Sequence, residues 1–543
     1  MIAVYSTVLA LFIAIAMVPL LDRWAGALGL LDKPGPRKIH DHPIPRIGGI
    51  AIAVGALVSL LVWLPLGPEI TGYLAGVVVI FLFGIADDRL DLDYRLKLGA
   101  QIVGAVLFTL IAGVHLTRAP FSYGAGLTDW VGWPLTVLVL IGITNAVNLS
   151  DGMDGLAGGT SLIVAAVFGY LAYLGGDNAT AVFALCLIGA IFGFLRYNTF
   201  PARVFMGDAG SQFLGFSVAV LGLLVVERSN TAISPLVPVL VLGLPILDTL
   251  YVIFHRVREG RSPFSPDRQH LHHRLLDAGL SQYEALLAIY ALQAVLVGLA
   301  LGLRYSHDAV LLLAYVAFGV ALLAALKWWR TRHTEGRSLV ARLDIVDSLV
   351  RYLKAKDMLR RVGHGGVVYG MSLLFVVVPW WVTPVTPDIG WLSLLLGGVV
   401  LLALMPLKLL PHLQMYRLAA FAMSVFTVYL FETAELRGLP SVSWLRAYLL
   451  LLAACVAVWL RFGAGGEFRL NTLDVLVVLI VAIVPQMPAV RELGIGVMVI
   501  EALLLFYACE LIFGEQARHW QLFRLAVLVG LSTLALRGLW LTG

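Results

Sequence analysis

The chain has 543 residues, of which 60% are hydrophobic and only 13% are charged. Soluble globular domains carry about 25% charged residues, so this composition excludes an ordinary soluble domain. The net charge of +5 does not indicate a nucleic-acid partner, because the basic residues lie in loops and form no dedicated patch. The three cysteines lie in apolar runs without CxxC spacing, which argues against a disulfide framework and against a zinc site.

Apolar segments of about 17–22 residues recur along the whole length, and each is long enough to cross a hydrocarbon core about 30 Å thick. We therefore predict an all-α, polytopic helical membrane protein. About eleven helices are predicted in the first part of the chain, near residues 2–21, 48–66, 70–86, 98–113, 133–147, 156–175, 180–195, 211–227, 235–254, 285–303 and 309–326. A C-terminal extension adds about seven more, near residues 367–382, 391–406, 417–431, 443–460, 473–485, 493–512 and 520–540.

The basic residues predict how these helices are oriented. Residues 22–47, between the first two helices, contain Arg23, Lys33, Arg37, Lys38 and Arg46. Basic loops face the cytoplasm, so we expect this loop inside and the N-terminus outside. Counting alternately through the eleventh helix then places the other basic loops inside as well.

A strongly basic region at 327–365 separates the two groups of helices. Apolar residues recur within it at helical spacing, which predicts an amphipathic helix on the anionic inner leaflet. We therefore divide the chain into a membrane core (1–326), a basic cytoplasmic linker (327–365) and a transmembrane extension of unassigned role (366–543). We find no internal repeat of the kind that builds many transporters.

With this topology, five polar clusters converge on the cytoplasmic face, whereas purely structural loops would scatter such residues on both faces. They are the first loop with Lys38 and Arg46, Asp-Asp-Arg-Leu-Asp at 87–91, Asn-Leu-Ser-Asp-Gly-Met-Asp-Gly at 148–155, residues 196–211, and residues 263–273.

The acidic residues suggest a site for a hard cation. Adjacent Asp87 and Asp88 repel each other unless a cation lies beside them, although solvated acids at a capped helix end are an alternative. Asp208 is flanked by small residues that allow close approach of a ligand. Magnesium usually takes one or two carboxylates, with phosphate oxygens and water completing its shell. For residues 148–155, an ordinary polar loop remains an alternative.

The histidines at 270, 272 and 273 lie beside Arg268 and Arg274 and suit an anionic substrate as hydrogen-bond donors. A zinc site and a basic loop that touches lipid head groups are the alternatives. Asp248 lies inside an apolar helix, and an intramembrane acid is by default a functional hypothesis. Capping of backbone near Pro245, or pairing with an arginine, would also explain it.

Together these clusters resemble the polyprenyl-phosphate N-acetylhexosamine-1-phosphate transferases. The resemblance covers roughly residues 1–326 and follows the family's motif order. It is closest to the undecaprenyl-phosphate GlcNAc-1-phosphate branch, because the histidine motif is His-Leu-His-His rather than a run of three histidines. The matching motifs are Arg-Lys-Ile-His at 37–40 with Pro-Arg-Ile-Gly-Gly at 45–49, Asp-Asp at 87–88, residues 148–156, Ala-Arg-Val-Phe-Met-Gly-Asp-Ala-Gly-Ser at 202–211, and residues 267–273.

The resemblance implies a role for each matching residue. The metal ligands would be Asn148 and Asp208, holding Mg²⁺ (with Mn²⁺ as an alternative) on the pyrophosphate of a UDP-sugar. The catalytic set would be Asp87 as the base for the acceptor phosphate, Asp88 beside it, Asp151, His270, His272 and His273. The substrate-binding set would be Asp154, which lines the uridine site with Asp151, Asn198 nearby, Phe205 stacked on uracil, and Lys38, Arg95 and Arg268 on phosphates and sugar.

The implied reaction transfers N-acetylhexosamine-1-phosphate, with GlcNAc-1-phosphate favoured, from a UDP-sugar to undecaprenyl phosphate. It would release UMP at the cytoplasmic face of a bacterial inner membrane and start synthesis of a cell-surface polysaccharide. One-step attack and a two-step route through an aspartyl intermediate both stay open, as does a homodimer. The alternatives from other classes are a membrane transporter and a non-catalytic scaffold.

Overall fold

The computed structural model describes residues 2–32, 42–121, 126–262, 269–332, 358–381, 385–402, 412–435, 442–462, 495–514 and 520–540. Helices dominate these residues, which confirms the predicted all-α class. Two short strands, β1 (Leu31–Asp32) and β2 (Ile44–Pro45), pair antiparallel. The described residues form two compact units, one up to Arg332 and the other from Met358 onward.

The first unit contains thirteen of the described α-helices. They are α1 (Ile2–Leu28), α2 (Gly48–Trp63), α3 (Pro68–Leu90), α4 (Tyr94–Ala112), α5 (Asp129–Leu149), α6 (Leu156–Leu174), α7 (Asn178–Asn198), α8 (Gly207–Leu224), α9 (Val237–Val241), α10 (Gly243–Arg258), α11 (Leu271–Asp277), α12 (Gln282–Leu303) and α13 (Asp308–Arg332).

Helix α8 forms the centre of this unit and packs against α2, α3, α5 and α6. It is buried along its length because its small residues let neighbouring backbones come close. A Cβ added to Gly215 would lie 2.8 Å from Thr144 Cα in α5, and one added to Gly210 would lie 2.5 Å from Gly49 Cα in α2. The N-terminus of α8 carries Asp208, so this packing also fixes the position of that carboxylate.

The single helix predicted at 235–254 is wrong, because the structure divides it into α9 and α10 at Leu242. Pro245 lies in the first turn of α10, where its missing N–H costs no hydrogen bond. Two neighbouring side chains satisfy carbonyl groups at the break. Gln293 donates to the oxygen of Val241 at 2.5 Å, and the Tyr315 hydroxyl donates to the oxygen of Gly243 at 2.8 Å.

The second unit contains six described helices. They are α14 (Met358–Trp381), α15 (Pro387–Leu402), α16 (His412–Glu435), α17 (Val442–Phe462), α18 (Ile495–Gly514) and α19 (Trp520–Trp540). Arg537 in α19 donates to the Pro379 oxygen in α14 at 2.7 Å, and Arg524 in α19 donates to the Tyr416 hydroxyl in α16 at 2.6 Å. These bonds tie α19 to both α14 and α16.

Eleven helices of the described part are long and apolar enough to cross a membrane, nine in the first unit and two in the second. The protein is therefore a multi-pass membrane protein, as composition predicted. Helix α13 extends to Arg332 and helix α14 begins at Met358, so each overlaps one end of the range predicted as the linker. The predicted amphipathic segment around 343–353 and the predicted helix at 473–485 lie outside the described residues.

Candidate active site at the N-terminus of helix α8

Several helix ends carry the predicted polar residues to one place around the N-terminus of α8. Helix α3 ends with Asp87 and Asp88, α5 ends with Asn148, and α8 begins with Gly207 and Asp208. Lys97 at the start of α4 contacts Asp87 and Asp208, and Asp154 in the loop after α5 bonds to Ala202 in the loop after α7. Residues far apart in the sequence therefore form one cluster.

Asp88 holds the start of α8. Its two carboxylate oxygens accept hydrogen bonds from the backbone N–H groups of Asp208 (2.8 Å) and Ala209 (2.9 Å). Such N–H groups have no partner within their own helix, and an anion there is favoured by the helix dipole. Arg46 lies 4.0 Å from Asp88 and also pairs with Asp32. Asp88 is thus engaged in positioning α8, and through it Asp208.

Lys97 supplies the cation that adjacent acids require. Its ammonium lies 2.5 Å from Asp87 Oδ2 and 3.8 Å from Asp208 Oδ2. The other oxygen of Asp87 accepts the Leu92 N–H at 2.9 Å, and Asp87 is only 3% exposed. No sequence motif singles out Lys97, because its partner Asp208 in α8 is more than 100 positions away. Its place one turn into the helix after the Asp-Asp motif was the only signal.

Asn148 and Asp208 are brought into direct contact. The amide Nδ2 of Asn148 donates to Asp208 Oδ1 at 2.8 Å and to the Ser211 hydroxyl at 2.7 Å. An amide oxygen and a carboxylate are both oxygen ligands of the type that Mg²⁺ takes. No three His, Cys, Asp or Glu side chains in the described part of the chain are grouped to hold a metal. The pair of oxygen ligands fits a magnesium ion that would complete its shell with substrate phosphate and water.

Asp151, in the loop after α5, is a carboxyl with a raised pKa. Burial, together with the negative charges of Asp208, Asp88 and Asp154, raises its pKa to about 8, while Arg46 opposes the shift. Because the nearby acids favour the neutral form, a bound cation would favour the charged form. A cation held by Asn148 and Asp208 would therefore also favour the charged form of Asp151.

Asp154 and Asn198 join two loops to each other. Asp154 accepts the Ala202 N–H at 2.9 Å. Asn198 uses both ends of its amide, accepting the Gly155 N–H at 2.9 Å and donating to the Val204 oxygen at 3.0 Å. Gly155 has φ +79°, which favours glycine, and its oxygen accepts the Tyr290 hydroxyl at 2.8 Å. In this structure both side chains therefore serve to fix the loops.

Of the four remaining residues predicted to bind the nucleotide, phosphates or sugar, the structure describes Phe205 and Arg95. Phe205 lies half-buried in the loop before α8, and its backbone bonds to Pro45 and Gly48. Arg95 is exposed at the start of α4, where its Nε donates to the Tyr94 hydroxyl at 3.2 Å. Lys38 and Arg268 lie outside the described residues.

The histidine motif packs beside the loop after α5. His272 is buried, and a Cβ added to Gly152 would lie 2.5 Å from its Nε2. Burial lowers the pKa of His272 to about 4, with smaller contributions in the same direction from His273 and His270. His272 is therefore neutral at pH 7. Its ring centroid lies 4.2 Å from that of His273.

Asp248 has a definite partner, which the sequence alone left open. Its carboxylate accepts from His270 Nδ1 at 2.8 Å and from the Leu271 N–H at 2.7 Å. Asp248 thus contacts the histidine motif, and the suggestion of capping near Pro245 is not what the structure shows.

Comparison with known proteins agrees with the motifs. Residues 70–226 match glycosyl transferase family 4. A probable undecaprenyl-phosphate N-acetylglucosaminyl 1-phosphate transferase of Bacillus subtilis (strain 168) is 37% identical over 290 residues, covering 53% of this chain and 81% of that relative. Undecaprenyl-phosphate alpha-N-acetylglucosaminyl 1-phosphate transferases of Salmonella typhi and Escherichia coli (strain K12) are 32% and 30% identical, covering 55% and 56% of this chain and 85% and 86% of those relatives.

These relatives are named as transferases, so the transporter alternative is not favoured. Each match covers little more than half of this chain, which agrees with a C-terminal extension beyond the shared core. The resemblance found from the five motifs is confirmed at the level of the family and its GlcNAc-1-phosphate branch. The chain belongs to glycosyl transferase family 4.

Proposed function

We propose that the chain transfers GlcNAc-1-phosphate from UDP-GlcNAc to undecaprenyl phosphate, releases UMP and so starts synthesis of a cell-surface polysaccharide. The observation that carries the proposal is the Lys97 ammonium between Asp87 and Asp208 at the N-terminus of α8. The names of the relatives support the acceptor and the transferred group. A UDP-sugar is the donor whose diphosphate would yield UMP in this transfer.

The reaction needs positioning and charge neutralisation more than proton transfer, because a lipid phosphate is already largely ionised. Asp87 would face the acceptor phosphate, and Lys97 would balance charge as the phosphates approach. Asn148 and Asp208 would hold Mg²⁺, or Mn²⁺ in its place, and this ion would neutralise the pyrophosphate. Asp88 would act by keeping α8, and therefore Asp208, in place.

The proposed setting is the bacterial inner membrane with the site facing the cytoplasm. The basic loops on the side of the site support this orientation, and cytoplasmic nucleotide sugars would reach the site directly. The relatives named above come from bacteria, which supports the choice of membrane.

An assay of UMP release tests the proposal. The full-length protein in lipid nanodiscs is offered a panel of UDP-N-acetylhexosamines with undecaprenyl phosphate and Mg²⁺. We expect UMP release that requires the lipid phosphate and is fastest with UDP-GlcNAc. Absence of release with every sugar would overturn the proposed function.

The metal assignment needs a separate variant. Asp208→Asn keeps the size of the side chain and removes its charge, so the metal concentration for half-maximal rate should rise and kcat should fall by at least about 100-fold. Ser393→Ala in α15 removes a buried hydroxyl from the second unit and serves as the control. Unchanged metal dependence in Asp208→Asn would remove Asp208 from the metal site.

A further inference from the structure

We infer that Asp248 is a positioning residue that orients His270 for the anionic substrate. The inference rests on the proposed function for the identity of that substrate. Asp248 acts through the histidine ring and lies in α10, whereas His270 immediately precedes α11. The pairing with His270 accounts for an acid at this position of α10.

The carboxylate of Asp248 accepts two hydrogen bonds, one from the His270 ring and one from the backbone of the next residue. Asp248 Oδ2 lies 2.8 Å from His270 Nδ1, and Asp248 Oδ1 accepts the Leu271 N–H at 2.7 Å. The two side chains are 11% and 8% exposed, so water competes little for either group. A cap on α11 alone would need only the Leu271 bond. The second bond holds the imidazole ring at a fixed orientation relative to the backbone.

The pairing also determines which ring nitrogen faces the substrate. A carboxylate only accepts hydrogen bonds, so Nδ1 of His270 must carry a proton. The contact with substrate is therefore left to Nε2, which accepts from a hydroxyl group when the ring is neutral and donates to an anionic oxygen once the ring is protonated. The neighbouring His272 ring is nearly parallel, with centroids 5.9 Å apart and 12° between planes, which restricts rotation of His270 further.

Hydrogen bonds from two other helices support the backbone that precedes Asp248. The start of α10 is held by the Tyr315 hydroxyl on the Gly243 oxygen, and the end of α9 is held by Gln293 on the Val241 oxygen. Both contacts come from helices that pack against α9. A carboxylate on such a support can hold a histidine in one orientation, as carboxylates do behind metal-bound histidines.

The ring state can be measured without turnover. Full-length protein labelled with ¹⁵N-histidine is studied by NMR in nanodiscs at a pH where His270 is neutral, and His270→Gln identifies the signals. We expect Nδ1 protonated and Nε2 bare in the wild-type protein, and a change in this pattern in Asp248→Leu, which cannot accept a hydrogen bond. A wild-type ring protonated on Nε2 alone would overturn the inference.

Kinetics test the consequence for the reaction. Asp248→Asn should lower kcat/KM for UDP-GlcNAc by about 10- to 100-fold, the range found when a partner that orients a metal-bound histidine is lost. The same change in a His270→Gln background should cost less than about 3-fold, because the ring that Asp248 orients is gone. Equal losses in both backgrounds would reduce Asp248 to a structural role and overturn the inference.

Asp277→Asn is the matched control, because it removes the same charge from the exposed end of α11 and should leave kcat/KM unchanged. The two readouts separate the two proposals. A wild-type protein without turnover on any donor would contradict the proposed function, while its ¹⁵N pattern would still decide the arrangement of Asp248 and His270.

Discussion

Replacing Lys97 by methionine removes the ammonium between two carboxylates and keeps the length of the side chain. Two unit charges 3.8 Å apart, the distance from Lys97 to Asp208, attract by about 4 kcal/mol at an effective dielectric constant of about 20. The closer partner, Asp87, is buried, and breaking a buried pair by removing one member costs about 3–5 kcal/mol. Because the Lys97 side chain is 27% exposed, we expect the lower end of this range. Lys97→Met should therefore lower the free energy of unfolding by about 3 kcal/mol.

The rate should fall as well, because Lys97 would balance the charge of the phosphates. Removal of one preorganised group of this kind typically lowers kcat by about 100- to 1,000-fold. We would measure UMP release under saturating donor and acceptor, together with thermal unfolding in the same detergent. Arg89→Met is the matched control, since it removes an exposed positive charge from the end of α3 and should change neither quantity much.

A double variant separates stability from catalysis. Adding Asp87→Asn to Lys97→Met removes the buried charge that the first change left unpaired, so part of the lost stability should return. The rate should stay low, because neither side chain can then act on the phosphates. A Lys97→Met protein with kcat within about 3-fold of the wild type would refute the role of Lys97 in the site.

Three further changes probe the surrounding structure. Asp88→Asn loses one of the two acceptors for the α8 N–H groups and should destabilise the fold by about 1–3 kcal/mol, while a melting temperature equal to that of the wild type would argue against the capping role. Gly152→Ala places a Cβ 2.5 Å from His272 Nε2 and should lower kcat, whereas Gly142→Ala, with no atom within 4 Å of its Cβ, should not; equal activities would contradict the packing. The raised pKa of Asp151, about 8, means that the folded state binds a proton which the unfolded state releases above about pH 4. The stability that this proton contributes is therefore lost as pH rises from about 4 to 8. Without metal, the free energy of unfolding of Asp151→Asn should vary less with pH over this window than that of the wild type. Parallel profiles of the two proteins would contradict the raised pKa of Asp151.

Much of the architecture follows from the sequence, because membrane-spanning helices are read from local hydropathy. The site also could be located, since the acids of α3 and α8 and the amide of α5 stand at helix ends on one predicted face. The break at Leu242 was missed because α9 and α10 form one continuous apolar run, and the carbonyls freed there are satisfied by Gln293 and Tyr315 from distant helices.

The sequence did not predict which group each polar side chain would contact. Asp88 and Asp87 are adjacent in the chain, yet one bonds to the backbone of α8 and the other to Lys97. Asn198 was predicted near the nucleotide, but its amide is engaged on both sides by loop backbone. These differences depend on side-chain direction at helix ends and on contacts between segments far apart in sequence, which no local pattern encodes.

The central claim is that the transferred group is a sugar phosphate and not a sugar. UDP-GlcNAc labelled with ³²P in the β-phosphate tests it directly when supplied with undecaprenyl phosphate and Mg²⁺ to the full-length protein. We predict that the label enters the lipid product in step with the release of unlabelled UMP. Label that stays with the nucleotide as UDP, while the sugar moves to lipid, would contradict the account.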